Sequence, residues 1–312
     1  MSSILAEATS KIPRNFGGFL IFIKAEKMDD INLVRENVAY YLPALVKIID
    51  SNDFDWKQIN NLFSEKIEER TKEFGKQITK DVNLIEYYEK TIQVSATIYD
   101  MIIEIRKGNK RAIGLLDYFN KMLAELSSRL DDGEKKLIKD NIRGVLINLD
   151  YRYLNFIGEL ATLNSLIGSK DYRLERSEQK LSNNKSIDFV LRKVKDDTLV
   201  LVEILNIHAD TDYIEDDKEK IKAFISKRIK DKIEDKAKGL DNNVNFFIAP
   251  VIWCGWEGLK IYSEYFKKNE MHIPNVIEPL AYLTFTDPKD NLYYVHRFGR
   301  VSTLFKSDSD IV

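Results

Sequence analysis

Two acidic residues carry the most chemical content in this chain. Asp188 stands near the start of Ile187-Asp188-Phe189-Val190-Leu191, and Glu203 interrupts the apolar run Leu199-Val200-Leu201-Val202-Glu203-Ile204-Leu205. A carboxylate set in such a run is costly to bury unless a cation or hydrogen-bond donors compensate it. Two carboxylates on adjacent strands can hold Mg2+ or Mn2+, hard cations that take oxygen ligands. A cation held there would polarise a phosphate and lower the pKa of an attacking water, which is the chemistry of phosphodiester hydrolysis.

The elements that must position these acids are legible around them. Arg152 to Ile167 reads as a helix closed by Gly168. Tyr172 to Arg176 alternates, a polar loop runs from Gln179 to Ser186, and Ile187 to Lys193 alternates again. Lys195-Asp196-Asp197 makes a hairpin turn into Thr198–Ile207, whose near-continuous apolar character predicts a strand buried on both faces. Asp216 to Leu240 predicts a charged helix, Val244 to Trp253 a second buried strand and Glu257 to Lys268 a further helix. Late strands are expected over Leu280–Thr286 and Tyr293–Phe298. The order of helix, three strands, helix, strand, helix and strands predicts an α/β fold with a mixed sheet.

This pattern resembles the PD-(D/E)XK, or restriction-endonuclease-like, nuclease superfamily over about Tyr151 to Trp253. In that family a helix carrying a glutamate precedes a three-stranded meander, the metal-binding Asp lies on the second strand and the D/E-x-K on the third. The resemblance implies that Asp188 and Glu203 are metal ligands. It also implies that Glu159, in Phe156-Ile157-Gly158-Glu159-Leu160, orients metal-bound water. The lysine due two residues after Glu203, on the same strand face, is replaced by Leu205. Leucine neither positions water nor stabilises negative charge.

A displaced basic group would have to stand in, and the helix after the third strand is its natural source. Asp216 to Leu240 holds nine Lys or Arg and six acids. Its apolar seam runs through Ile221, Ile225, Ile229 and Ile233, and at ~100° per residue Lys222 and Lys232 lie near that seam. Solvated or snorkelling side chains are the plainer reading of both lysines. Arg192, on the same face as Asp188, is a further candidate. With no substitute, the domain would be a non-catalytic relative acting as a nucleic-acid- or protein-binding scaffold.

The rest of the 312-residue chain constrains function less. From about Asp29 to Leu149 apolar residues recur at three and four, as in Ile85–Arg106 and Leu115–Leu130, with a break at Asp131-Asp132-Gly133. Residues 1–150 are therefore expected to form a mostly helical region for assembly or target positioning, and 151–312 the nuclease-like domain. An unrelated α/β protein with an assembly role is the third reading. With 48 basic and 50 acidic side chains the net charge is -2, so nucleic acid, DNA ahead of RNA, would have to meet a local patch. The helical region would allow a homo-oligomer.

Cys254 is the only cysteine, which excludes an internal disulfide and a thiolate metal cluster and fits a cytoplasmic location. Phe19-Leu20-Ile21-Phe22-Ile23 is far below the ~20 residues of a membrane span and reads as a buried strand or an N-terminal arm. The acids from Asp210 to Asp217 lack calcium-loop spacing, and His208, His272 and His296 lack zinc-site spacing. Trp253, Trp256 and Tyr262 read as core rather than base-stacking platforms. No phosphate-cradling GxxxxGK[ST], no GxGxxG and no GxSxG motif occurs.

Overall fold

The computed structural model describes residues 32–50, 54–62, 110–148, 152–209, 218–240, 244–254, 256–269, 276–287 and 290–303, with isolated helical residues at 65, 98, 102 and 105. The apolar run at Phe19–Ile23, most of the helix expected over Ile85–Arg106, the acids from Asp210 to Asp217, and His272 lie outside the described residues. So do the side chains of Trp256 and His296.

Before the site-bearing region the described residues include the helices α1 (Asn32–Tyr41), α2 (Pro43–Asp50), α3 (Lys110–Arg129), α4 (Asp132–Leu137) and α5 (Lys139–Ile147). The Asp131 turn is a capping box. Its carboxylate accepts from the Glu134 N–H at 2.8 Å, while Glu134 accepts from the Asp131 N–H at 2.9 Å. Helix α6 (Tyr153–Gly168) follows, then β1 (Tyr172–Lys180), β2 (Ser186–Lys193), β3 (Leu199–His208), α7 (Lys218–Ala237), β4 (Asn245–Trp253), α8 (Trp256–Lys268), β5 (Leu280–Asp287), β6 (Asp290–Arg300) and a 3-10 turn at Val301–Thr303.

The six strands form one sheet in the order β1-β2-β3-β4-β5-β6. Strands β1 to β3 are an antiparallel meander, β3, β4 and β5 run parallel, and β6 returns antiparallel to β5. The expected mixed sheet with flanking helices is what forms. Strand β1 is longer than its alternating core suggested, so the expected loop over Gln179–Ser186 shrinks to a tight connection in which Asn184 takes a positive φ of 62°. Asp197 does the same, φ 58°, in the β2–β3 turn. Both residue types tolerate this left-handed conformation better than most.

Gly168 is the last residue of α6 rather than its cap. Ser169 caps the helix, and Gly168 instead makes room for Arg129, whose guanidinium lies 2.7 Å from where a Cβ would stand. That guanidinium donates to both the backbone and the side-chain oxygen of Asn164.

Strands β3 and β4 are buried on both faces, as their apolar runs require. Val200, Val202 and Ile204 of β3, with Ala249, Val251 and Trp253 of β4, face a core built largely by α3, α5 and α6. Leu205 and Ile207, with Phe246, Ile248 and Ile252, face a second core under α7 and α8. The first core continues without a break from Val34 in α1 to Leu280 in β5, so the helices before α6 and the sheet share one apolar cluster. Among the described residues no helix is long and apolar enough to cross a membrane.

Candidate active site

The β2–β3 ladder runs from Arg192↔Leu199 to Phe189↔Val202. Asp188 and Glu203 are the next residues on each strand, on the side where that pairing ends. Beyond it a side chain takes over from the backbone: the Ile204 N–H donates to Asp188 Oδ2 at 2.6 Å. The Asp188 carboxylate is thereby fixed against the strand that carries Glu203.

Glu203 faces the other way from its neighbours Val202 and Ile204, toward α7, and is 1% exposed. Its Oε1 receives two ammonium groups, Lys232 Nζ at 2.5 Å and Lys236 Nζ at 2.9 Å. The two lysines are one helical turn apart on α7 and so share a face. Lys236 also donates to the Ser186 carbonyl at the start of β2. Glu203 Oε2 is buried and has no hydrogen-bond partner.

Glu159 enters from the opposite side of the sheet, on α6. Gly158 lets that helix close in, because a Cβ there would stand 2.5 Å from Asn206 Oδ1 and 3.1 Å from Trp253 Cζ2. Buried Glu159 accepts from Asn141 Nδ2 at 2.8 Å, and Asn141 Oδ1 in turn accepts from the Ser177 hydroxyl at 3.1 Å. Helix α5 and strand β1 therefore both orient the α6 glutamate.

The electrostatics report excess negative charge. Burial, then the nearby Asp188 carboxylate, hold Glu159 well above the usual carboxylate range, against the donation from Asn141. Burial and the Glu203 charge push Asp188 up to about 7, although the Ile204 N–H and the two lysines pull it down. Burial disfavours the Lys232 ammonium, but the Glu203 carboxylate more than offsets this and raises it above its ordinary value. Three acids face two ammonium groups, and both of those groups sit on one oxygen. Either protons or a cation must answer the remaining charge.

Among the described residues no three His, Cys, Asp or Glu side chains converge into a metal cage. Asp188 and Glu203, which lie within electrostatic reach of each other, are the two carboxylates that could hold a cation. The unpartnered Glu203 Oε2 supplies a buried oxygen with no other role.

The sequence-expected residues fare differently. Asp188, Glu203 and Lys232 come together, and Glu159 lies within electrostatic reach of both acids from the other side of the sheet. Lys222 lies exposed, about 15 Å along α7 from Lys232 at helical rise. Arg192 is spent on Glu175, at 2.9 and 3.1 Å, and on Asp197 at 3.0 Å, at the other end of the β2–β3 hairpin. Leu205 packs into the apolar core under α7, so the lysine position of the third strand is core here. Trp253 and Tyr262 are buried. His208 Nε2 lies 2.7 Å from Asn155 Oδ1 beside the Trp253 ring.

Lys236, Asn141 and Ser177 went unread in the sequence. Lys236 was findable: seven residues after Ile229, it falls back on the buried stripe of α7. Asn141 and Ser177 reach Glu159 only through tertiary packing and leave no local signal. No protein-family model matches the chain, and no curated protein or solved structure matches it significantly.

Proposed function

We propose that the protein is a metal-dependent nuclease of the PD-(D/E)XK type that hydrolyses nucleic-acid phosphodiester bonds. One observation carries this reading: Lys232 and Lys236 of α7 reach the buried Glu203 of β3, which supplies the ammonium that Leu205 cannot. Two further features support it. The order α6, β1, β2, β3, α7, β4 matches the helix, meander, helix and strand that the resemblance implies. The strands of Asp188 and Glu203 are direct neighbours, which an unrelated α/β protein would not need.

In this reading Asp188 and Glu203 would hold Mg2+ or Mn2+, which would lower the pKa of water and polarise the phosphate. Asp188 presents a carboxylate fixed by the Ile204 N–H. Glu159, held above the usual carboxylate range by burial and by Asp188, would hydrogen-bond to and orient water beside them. Lys232, 28% exposed at its side chain, is the ammonium with access to solvent and to the non-bridging oxygens of a bound phosphate. Its positive charge opposes the negative charge that develops as the phosphodiester is attacked. The helices before α6 would position the target or assemble copies of the chain.

The test is cleavage of single- and double-stranded DNA and RNA with Mg2+ or Mn2+, using wild type, E203Q and D188N. Cutting by the wild type that both variants lose supports the reading. Equal cutting by all three overturns it. A folded wild type that cuts nothing and binds no divalent cation favours the non-catalytic scaffold, in which the lysines serve only to neutralise Glu203.

A further inference from the structure

We infer that one ridge of α7 is a track for single-stranded nucleic acid, on which Phe224 stacks a base and Arg228 takes a neighbouring phosphate on the way to Lys232. The inference rests on the nucleic-acid substrate proposed above and names the form of that substrate. It needs neither a bound cation nor cutting.

Every fourth residue of α7 from Lys220 is a cation or an aromatic: Lys220, Phe224, Arg228, Lys232 and Lys236. Four residues advance a helix by ~6 Å and turn it by ~40°, so the row is one continuous ridge that winds around the helix. Burial follows that turn. Lys220, Phe224 and Arg228 are exposed, Lys232 is half-buried and Lys236 is buried. The ridge thus runs from solvent down to the Glu203 carboxylate, which accepts from its last two members. Its inner end is fastened to the β1–β2 connection. Asn183 Nδ2 donates to the Asp235 carbonyl at 3.1 Å, and the Ser182 hydroxyl donates to the Gly239 carbonyl at 3.2 Å.

The charge on this helix is left open for a polyanion. Residues 220–230 carry five cations and no acid, in a chain whose net charge is -2. In other elements Arg35, Lys121, Arg173 and Lys185 each meet a carboxylate. Lys222, Lys227, Arg228 and Lys230 have no ion-pair partner among the described residues. Like charges gathered on one helix repel one another. A phosphate backbone removes that repulsion and gives up its own counterions on binding. Phe224, 38% exposed, sets an apolar ring within this charge. A ring for a base between cations for phosphates is the combination that holds single strands. A duplex keeps its bases stacked on one another and gives Phe224 nothing to stack on.

The test is fluorescence anisotropy of labelled single-stranded and duplex oligonucleotides, DNA and RNA, in chelator and across salt concentrations, with wild type, F224A, R228Q and K222Q. F224A should weaken single-strand binding about tenfold and leave duplex binding unchanged. R228Q should weaken it and lower the slope of log affinity against log salt by about 0.7, the share of one phosphate contact. K222Q, ~120° around the helix from Arg228, should leave single-strand affinity unchanged. All three side chains are exposed, so the variants keep the fold, which a thermal melt checks. Single-strand binding that F224A and R228Q leave unchanged, or a preference for duplex, overturns this inference and leaves the nuclease reading standing. Wild type that binds phosphatidylserine vesicles but no oligonucleotide overturns both. Binding of single strands through Phe224 and Arg228 by a protein that cuts nothing with Mg2+ or Mn2+ supports this inference and overturns the nuclease reading in favour of the scaffold.

Discussion

Replacing Glu203 should destabilise the metal-free protein more than replacing Lys236, and replacing both should recover much of the loss. Glu203 is 1% exposed and Lys236 7% at its side chain, so their 2.9 Å contact is nearly dry. Removing one partner of such a pair leaves an uncompensated buried charge and costs about 3–5 kcal/mol. Glu203→Met leaves two ammonium groups against each other, one with no route to water, and belongs at the upper end, about 4–5 kcal/mol. Lys236→Met leaves Glu203 still paired with Lys232 at 2.5 Å, and the lost bond to the buried acid costs about 1–3 kcal/mol. The double variant replaces the pair with apolar volume and should cost less than the sum by about 2 kcal/mol. Urea denaturation at pH 8 in chelator reads all three, with unchanged slopes confirming that stability alone has moved. A loss below about 1 kcal/mol for Glu203→Met, or strict additivity, would show that water reaches this pair and that Oε1 is not held as described.

Three further outcomes follow from the same structure. Asp188 has a folded pKa of about 7, above its unfolded value of about 3.9. The native state therefore holds a proton that the unfolded chain has released, and metal-free stability falls as pH rises from about 4 to 7. D188N should flatten that slope and raise the melting temperature at pH 8; a steeper slope in D188N would refute the assignment. Gly158→Ala should cost about 1–3 kcal/mol by driving α6 off Asn206 and Trp253, and should reduce cleavage by moving Glu159; wild-type melting and cutting would show that the contact yields freely. A fragment of residues 151–312 exposes the apolar faces that α3 and α5 cover, so it should aggregate or melt far below the full chain; a monomeric fragment as stable as the parent would count against the shared core.

Much of the sheet was legible because burial on two faces leaves a plain mark. Thr198–Ile207 and Val244–Trp253 are long apolar runs, and a single glutamate inside one of them has to be explained. Lys232 was legible for the related reason that the buried stripe of a helix is periodic. The same periodicity misplaced Lys222, which neighbours Ile221 in sequence but lies about 100° around the helix and points to solvent. A stripe defined by isoleucines ends at Ile233 and leaves out Lys236, whereas a lysine can occupy a buried position when a carboxylate waits there. Arg192 looked available from strand alternation alone. Glu175 and Asp197 claim it across the hairpin, and that competition depends on register. The chain of Ser177, Asn141 and Glu159 joins β1, α5 and α6, and no local pattern encodes it.

The docking of the β1–β2 connection onto the end of α7 also sets when the site can exist. Asn183 and Ser182 reach backbone oxygens 52 and 57 residues downstream, and Lys236 closes back onto Ser186. Lys232 and Lys236 follow Glu203 by 29 and 33 residues, so the acids and the groups that compensate them come from separate stretches of the chain. Until residue 236 has been synthesised, and enough chain has followed for α7 to settle on the sheet, the carboxylates have no ammonium partner and the strands that hold them have no closing clasp. The acids and their ammonium partners thus become one centre only when the end of α7 docks.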